Sequence, residues 1–455
     1  MENQKVISEN PMGYKPVSKL LFSLAVPAVI ANIVNALYNI VDQIFIGQGV
    51  GYLGNAATNI AFPITTVCMA IGLMTGLGSA ATFNLELGRN NSDNAKKSAG
   101  TAVTMLIACG LFICIIVRSC LKPLMIAFGA TDRILDYSME YADITSFGIP
   151  FLLLSTGINP LVRADGNAAY SMMAVITGAV LNTILDPLFI FVFHMGISGA
   201  AWATVISQII SALLLLLYFP RFKTVKFCLK DFFPQISFIK TIVSLGFTSF
   251  IFQCSTMIIQ IVTNNLLRTY GELSIYGSDI PIAVAGIISK INVIFTSVVL
   301  GIVQGSQPIC SFNYGAQQYG RVRETVKLLL KSTFIISVAI FAIFQIFPAQ
   351  IISLFGTGDE LYFEFATKYM RVFLFFVFLN GMQIAITTFF PSIGKALKGA
   401  FLSLSKQIIF LLPLLIILPH FFGIDGIMYA TPISDLIAFF IAVILLFMEL
   451  KKMPL

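Results

Sequence analysis

Charged residues are scarce in this chain. Only 11% of its 455 residues are Asp, Glu, Lys or Arg, whereas 57% are hydrophobic and the mean hydropathy is +0.90. A soluble domain carries about 25% charged residues, so this composition leaves too little polar surface to cover a globule in water. It excludes a cytosolic enzyme, a nucleic-acid-binding domain and a disordered chain, and it indicates an integral membrane protein.

The sequence also lacks the motifs of several enzyme classes and metal sites. It contains no Walker loop, no H-E-x-x-H and no G-x-S-x-G, so we expect neither ATP-driven transport nor hydrolase chemistry. Its seven cysteines show no C-x-x-C spacing and it has two histidines, which disfavours a metal centre. An intramembrane enzyme would need an acid-rich Mg²⁺ motif, which is absent. We therefore expect a protein that is not an enzyme and holds no cofactor.

Long apolar runs divide the chain into twelve candidate spans. A helix needs about 20 mainly apolar residues to cross the hydrocarbon core, and no run alternates with period two as a transmembrane barrel requires. The predicted fold is an all-α integral membrane protein in the lipid bilayer. The predicted spans are residues 20–46, 55–80, 97–117, 140–161, 169–193, 198–219, 239–266, 281–304, 327–347, 370–390, 399–419 and 425–448.

The basic residues between these spans predict the orientation of the chain. With the N-terminus inside, 20 of the 28 lysines and arginines fall in inside segments, Arg163 among them, and six fall outside. Such a bias follows the positive-inside rule, so we expect both termini in the cytoplasm. Two basic residues, Lys290 and Lys406, are left within the predicted spans.

The second half of the chain repeats the first. Residues 196–207 and 423–434 both read G-I-x-G-x-x-x-A-T-x-I-S, and shorter matches recur at the same offset. We therefore expect two six-helix lobes related by a pseudo-two-fold axis along the membrane normal, a layout that favours a carrier over a channel. The predicted divisions are a cytoplasmic tail at 1–17, a first lobe at 18–219, a cytoplasmic linker at 220–238, a second lobe at 239–448 and a second tail at 449–455.

A polar stripe runs along span 1. Asn32, Asn35, Asn39 and Asp42 follow one another at spacings of 3, 4 and 3, with Tyr38 beside them. An acid within a span costs about 2.5–3.5 kcal/mol to insert, which makes Asp42 a functional candidate. The stripe is expected to face a wet cleft, and interhelical hydrogen bonding by its asparagines is the structural alternative.

A second acidic position lies in span 5. Asn182 and Asp186 are four residues apart and share a helix face, Pro187 follows, and Thr204 opens span 6. Asn159-Pro160 is expected to break span 4 nearby. Carboxylate, amide and hydroxyl oxygens together suit a proton or a hard cation. The structural alternative is that Asp186 only caps a broken helix.

The second half carries different polar residues. Span 7 has an uncharged stripe of Ser249, Gln253, Thr256, Gln260 and Asn264. Lys290, Lys406 and Asp435 lie in spans 8, 11 and 12, where a lysine could pair with the acid or extend to the interface. We expect a substrate cavity between the lobes that is lined by Asn35, Tyr38, Asn39, Gln253, Met257, Gln260 and Lys290.

Several stretches of the chain resemble one transporter family. They are V-D-Q-I-F-I-G at 41–47, R-A-D-G-N at 163–167, L-N-T-I-L-D-P-L-F-I-F at 181–191 and the two G-I-x-G repeats. In this order they resemble the MATE family of multidrug and toxic compound exporters, and most closely its MepA-like bacterial branch. The resemblance covers nearly the whole chain.

The resemblance implies a V-shaped pair of lobes that exports lipophilic, mostly cationic drugs or toxins in exchange for H⁺ or Na⁺ by alternating access. We expect a monomer in the inner membrane of a bacterium, with no nucleic-acid partner. The family's ion or proton site carries over to Asp42, Asn182, Asp186 and Thr204, with Asn159 as a further member. Spans 7 and 10 lack the acids that some Na⁺-coupled members use, which disfavours an ion site in the second lobe.

A flippase for a lipid-linked sugar or similar amphiphile is the alternative function, because related exporters share this layout. A polyanionic headgroup calls for an arginine-rich central cavity. With Lys290 and Lys406 as the basic residues predicted within spans, the sequence favours the drug exporter.

Overall fold

Helices make up nearly all of the computed structural model, which describes residues 10–277, 279–354 and 360–454. No strand occurs within these ranges. Eleven of the described helices are long and apolar enough to cross a membrane, and two further helices that meet at 43° form a bent twelfth span. The all-α fold with twelve spans expected from the sequence is confirmed.

The spans are named α1 to α12 in chain order. The first lobe contains α1 Val17–Gly49, α2 Tyr52–Gly88, α3 Ser92–Ser119, α4 Asp132–Ala164, α5 Ala168–Pro187 and α6 Gly196–Leu216. The second contains α7 Ile236–Glu272, α8 Asp279–Gly315, α9 Tyr319–Ile346, the bent α10 Glu360–Phe373 and Val377–Ser392, α11 Ala396–Phe422, and α12 Ile424–Lys451. A π-helical turn, Leu188–Val192, follows α5, and another, Ser405–Leu411, lies within α11.

The internal duplication is visible in the helix boundaries. The third spans of the two lobes, α3 and α9, have the same length. Both the first and the last residue of α9 lie at the same sequence offset from those of α3 as the offset that separates the two G-I-x-G repeats. Short helices at Leu121–Ala127 and Pro348–Ser353, which precede α4 and α10, begin at that same offset. The two lobes therefore have the same order of elements, as a duplicated six-helix unit requires.

One local expectation about a helix break is wrong. Asn159-Pro160 does not break span 4, because α4 continues through Pro160 to Ala164. A proline removes only its own N–H, and neighbouring groups in a packed bundle tolerate that loss. The predicted span 370–390 falls on α10, and the sequence did not indicate the bend between Phe373 and Val377.

The lobes pack most closely where α1 and α2 of the first lobe meet α7 and α8 of the second. These contacts lie in the half of each helix that is nearer to the two ends of the chain. A Cβ added to Gly246 of α7 would lie 1.8 Å from the carbonyl oxygen of Met74 on α2. One added to Gly305 of α8 would lie 2.6 Å from the Cα of Ala25 on α1. Small residues allow helix backbones to approach this closely. The lobes are thus closed at this end.

The first and last described segments of the chain lie at that same end, against the first turn of α9. Arg321 Nη2 donates to the carbonyl oxygens of Met12 and Lys15 at 2.9 and 2.7 Å. Arg323 Nη2 donates to the carbonyl oxygen of Met453 at 2.6 Å. This arrangement agrees with an even number of spans, because an even number of crossings returns the chain to the side on which it began. Residues 1–9 and 455 of the predicted tails lie outside the described part of the chain.

The segment between α6 and α7 packs onto the first lobe. The carboxylate of Asp165, at the end of α4, accepts hydrogen bonds from the Tyr218 hydroxyl at 2.7 Å and from the Thr224 hydroxyl at 2.6 Å. Thr104 of α3 donates to the carbonyl oxygen of Phe232 at 2.6 Å. This segment is therefore fixed to the first lobe before α7 begins. The domain boundaries drawn from the sequence stay predictions.

Candidate functional site

A cavity of about 1740 Å³ lies between the two lobes. On α1 it is lined from Ala31 to Gln48, and on α2 from Asn55 to Leu73, which are the halves farther from the termini. Because the lobes are closed at the termini, the cavity opens at the opposite end. Typical ligand pockets enclose about 300–1,000 Å³, so this cavity can accept drug-sized molecules of different shapes.

The polar stripe of α1 lies on the cavity wall. All four stripe residues and Tyr38 line the cavity: Asn32, Asn35, Asn39 and Asp42. Asn32 also donates across the lobe interface, to the carbonyl oxygen of Ser297 at 3.3 Å and to Gln304 Oε1 at 3.4 Å. The stripe thus faces a cleft along most of its length and bonds the opposite lobe at Asn32.

Asp42, Asn182, Asp186 and Thr204 form one cluster behind this stripe. Asn182 Nδ2 donates to Asp186 Oδ1 at 3.3 Å and to Thr204 Oγ1 at 3.5 Å. The carboxyl group of Asp42 is within hydrogen-bonding reach of that of Asp186. Asp42 lies on the cavity wall at 9% exposure, whereas Asp186 is completely buried.

This cluster has unused oxygen atoms. Asp42 Oδ1, Asp186 Oδ2 and Asn182 Oδ1 are buried without a hydrogen-bond partner among the described residues. Two adjacent carboxylates repel each other unless they share a proton or bind a cation. The arrangement can therefore hold a proton or a small cation, with oxygen ligands of the type that hard cations prefer.

The end of α5 positions Asp186. The helix begins after Asn167, whose side chain accepts from Tyr170 N, and it packs against α1. Pro187 has no N–H to donate, and the chain continues as a π-helical turn. Such turns widen a helix and frequently occur at functional sites. Here the turn follows directly after the buried carboxylate.

Asn159 lies near the cluster without joining it. Its side chain lines the cavity, and Nδ2 donates to the carbonyl oxygen of Ser171 at 3.2 Å. No hydrogen bond among the described residues links Asn159 to Asp42, Asn182 or Asp186. The amide therefore holds α4 against α5 beside the candidate ion site.

The second lobe contributes most of its predicted residues to the cavity wall. Gln253, Gln260 and Lys290 line the cavity, whereas Met257 does not. Gln260 Nε2 donates to Asn264 Oδ1 at 3.1 Å. The Lys290 side chain is exposed and forms no ion pair with any residue in the described ranges.

Lys406 and Asp435 pair with each other, as the sequence suggested. The distance from Lys406 Nζ to Asp435 Oδ1 is 2.9 Å, and Nζ also donates to Asn380 Oδ1 at 2.5 Å. Both charged residues line the cavity but are less than 10% exposed. Their charges cancel. Above the cavity floor, the described charged side chains that remain unpaired are Asp42 on the first-lobe wall and Lys290 on the second-lobe wall.

Sequence reasoning missed Tyr141 and Tyr369 as cavity residues. Both tyrosines line the cavity, and the Tyr141 hydroxyl lies near the side chain of Thr204. They occupy nearly equivalent positions in the two repeats. The presence of the same residue at nearly equivalent positions of both repeats was the sequence signal that could have identified these two tyrosines.

Arg163 was counted in the inside segment after span 4, whereas the structure includes it in the helix. It lies in the last turn of α4, is 5% exposed, and lines the cavity floor. The loop placement assumed that span 4 ends near Pro160, whereas the helix continues beyond it. Arg163 thus lines the cavity together with two other basic residues, Lys290 and Lys406.

Comparisons with known proteins agree with this architecture. A family model described as MatE matches residues 27–188 and 245–417. The multidrug export protein MepA of Staphylococcus haemolyticus is 24% identical over 436 residues, covering 95% of this chain and 93% of the relative.

Solved structures share the whole fold. A MATE crystal structure in complex with MaD3S superposes with a TM-score of 0.90 at 23% identity, covering 97% of this chain and 98% of the other. An outward-facing multidrug resistance MATE family transporter of the MOP superfamily gives a TM-score of 0.90 at 22% identity, with 99% and 98% covered. These structures have the two-lobe fold described above.

Proposed function

This chain belongs to the MATE family of multi-pass membrane transporters, and we propose that it exports lipophilic, mostly cationic drugs or toxins in exchange for H⁺ or Na⁺. The observation that carries the proposal is the contact between Asp42 and Asp186. One carboxylate lies on the wall of a drug-sized cavity and the other is buried directly behind it. Ion binding and substrate binding can therefore influence each other through Asp42.

The coupling ion acts in the first lobe. A proton or Na⁺ at Asp42 and Asp186 removes the repulsion between the carboxylates, with Asn182 and Thr204 as further oxygen ligands for Na⁺. Neutralising Asp42 also weakens its attraction for a cationic substrate, which favours release. An inward gradient supplies about 2.3 kcal/mol per charge per 100 mV of membrane potential.

The substrate binds between the lobes. Tyr38, Asn35 and Asn39 line the first-lobe wall, and Gln253, Gln260 and Lys290 line the second-lobe wall. Few fixed polar groups in a large cavity allow compounds of different shapes to bind. Met257 contacts substrate only in a conformation that turns it toward the cavity.

The chain works as a monomer in the inner membrane of a bacterium, with both termini in the cytoplasm. In that orientation the closed end faces the cytoplasm and the cavity opens outward. The protein changes the location of its substrate without breaking a covalent bond and needs no cofactor beyond the coupling ion.

Transport into vesicles tests the proposal. The purified chain is reconstituted, and uptake of a fluorescent lipophilic cation is followed with a pH gradient or a Na⁺ gradient imposed separately. We expect one gradient to drive uptake, and Asp42→Asn and Asp186→Asn to abolish it. Asp93→Asn is the matched control, because Asp93 pairs with Lys96 on the surface of α3. Gradient-driven uptake that survives both aspartate substitutions would refute the coupling site.

A flippase for an anionic amphiphile is the second candidate. Arg163, Lys290 and Lys406 all line the cavity, one basic residue more than the sequence indicated. Lys406 is neutralised by Asp435, which favours the drug exporter. Movement of a fluorescent lipid-linked sugar across the same vesicles, without movement of the dye, would favour the flippase instead.

A further inference from the structure

A second, small cavity adjoins the floor of the central cavity where the two lobes meet. Its volume is about 20 Å³, enough for one water molecule or an ion of similar size. Pro160, Arg163 and Gln304 line both cavities. The walls come from α2 and α4 of the first lobe and from α7, α8 and α10 of the second.

The wall of this cavity carries positive charge without negative charge. Arg163 is the charged residue among its lining side chains, and none of those side chains is Asp or Glu. The other polar groups are amides and hydroxyls, including Asn84, Gln307 and Ser311. All of these can donate hydrogen bonds to an anion.

These donors lack partners in the protein. The Arg163 guanidinium forms no ion pair or hydrogen bond with any residue in the described ranges, although only 5% of the residue is exposed. Asn84 Nδ2 and Ser311 Oγ are likewise buried without a partner there. A guanidinium is always charged and has five N–H donors. Burying it without a counter-charge is strongly unfavourable.

The nearest acids along the chain are already bonded elsewhere. Asp165 accepts hydrogen bonds from Tyr218 and Thr224 of the segment between the lobes. Glu86, two residues after Asn84, bonds Arg89 and Asn94. Neither carboxylate neutralises Arg163.

We propose that this cavity binds a small monovalent anion of the size of chloride. Arg163 supplies the charge, while the amide of Asn84 and the hydroxyl of Ser311 donate further hydrogen bonds. The volume accepts chloride or bromide but excludes gluconate. The proposed site is separate from the cluster at Asp42 and Asp186, and anion binding does not depend on the proposed transport function.

The anion also favours one conformation of the transporter. Arg163 and Asn84 belong to the first lobe and Ser311 belongs to the second, so the site is complete only while the lobes are closed at this end. A ligand that binds one conformation stabilises it. Chloride therefore favours the conformation in which the central cavity opens away from the termini. This consequence for transport rests on the proposed function.

Bromide makes the site directly visible. Crystals of the full chain grown in sodium bromide should show an anomalous difference peak between Arg163 and Ser311, and Arg163→Gln should remove it. Arg118→Gln is the matched control, because Arg118 pairs with Asp143 at the surface of the first lobe. No peak in the unsubstituted chain would mean that the cavity holds water only. A peak that persists in Arg163→Gln would mean an adventitious ion only, and either result overturns the proposal.

A stability measurement keeps the proposal testable if Arg163→Gln does not fold. At constant ionic strength, chloride and bromide should each raise the unfolding temperature of the purified chain relative to gluconate, by on the order of 2 °C. Equal unfolding temperatures in all three salts would overturn the proposal.

Transport assays separate this site from the proposed function. Replacing chloride by gluconate on the termini side of vesicles should change the rate of dye transport on the order of fivefold. Anion binding without any dye transport would refute the transport function and leave the site intact. Dye transport without anion binding would refute the anion site and leave the transport function intact.

Discussion

Lys406 and Asp435 form a buried ion pair inside the second lobe, with Nζ and Oδ1 2.9 Å apart. The first lobe has two adjacent carboxylates, Asp42 and Asp186, and neither forms an ion pair with a basic residue in the described part of the chain. A neutral pair needs no further ion, whereas adjacent carboxylates do. The duplicated halves have therefore diverged into one lobe with two adjacent carboxylates and one with an internal salt bridge.

The ion pair should be a structural element of the second lobe. Lys406→Met leaves the carboxylate of Asp435 buried and uncompensated, so it should lower the free energy of unfolding by about 3–5 kcal/mol. The double variant Lys406→Met/Asp435→Leu removes both charges and should recover most of that loss. Thermal unfolding in detergent measures both effects. A double variant as unstable as the single one would contradict this role.

The unpaired charge of Lys290 should affect the choice of substrate. Its ammonium group repels cations in the cavity, and a charge about 8 Å away at an effective dielectric constant of about 40 contributes about 1 kcal/mol. Lys290→Gln should therefore lower the KM for a singly charged cation roughly fivefold, while the KM for a neutral compound stays unchanged. Lys290→Arg keeps the charge and serves as the control. Equal shifts for charged and neutral compounds would point to a change in cavity shape instead.

The close approach of α2 and α7 should depend on Gly246. A Cβ at this position lies 1.8 Å from the carbonyl oxygen of Met74, so Gly246→Ala must push the helices apart. Overpacking of this kind costs about 1–3 kcal/mol. Gly286→Ala is the matched control, because a Cβ there meets nothing within 4 Å and alanine favours a helix.

Thermal unfolding and spin-label distances between α2 and α7 check this prediction. Gly246→Ala should lower the unfolding temperature and lengthen the distance at the end near the termini, and Gly286→Ala should do neither. Identical behaviour of the two variants would show that the glycine contact does not hold the lobes closed.

The N-terminal segment should be released when Arg321 is replaced. Arg321→Gln removes the hydrogen bonds to the carbonyl oxygens of Met12 and Lys15, so amide hydrogen exchange of residues 10–16 should become faster. Arg323→Gln is the control, because Arg323 bonds the carbonyl oxygens of Leu450 and Met453. Exchange should then increase in residues 450–454. Unchanged exchange at residues 10–16 in Arg321→Gln would contradict the contact.

Periodicity and composition predicted the spans, and spacing predicted the clustered residues. Asn182 and Asp186 lie on one face because four residues complete about one helical turn. That Asp42 of α1 would meet them depends on the packing of α1 against α5, which spacing within one helix does not specify. The family resemblance supplied that contact.

Other positions depended on tertiary packing alone. Met257 is four residues from Gln253 and three from Gln260, yet it does not line the cavity, since the width of the face that a helix exposes is set by its neighbours. Arg163 looked like a loop residue because proline is a helix breaker in soluble proteins. Within a packed bundle Pro160 is tolerated, so the helix continues and Arg163 lies buried in its last turn.

The segment between the lobes leaves little slack in the covalent connection. Its last hydrogen bonds to the first lobe join the Phe232 carbonyl to Thr104 and the Gln235 backbone N–H to Thr101 Oγ1, the latter at 3.4 Å. Helix α7 begins at the next residue, Ile236, so no free chain separates this attachment from the second lobe. The second lobe is thus attached by a hinge rather than a tether. A rotation of the lobes about this attachment has its axis near Gln235, and its largest displacements occur at the far rim of the cavity.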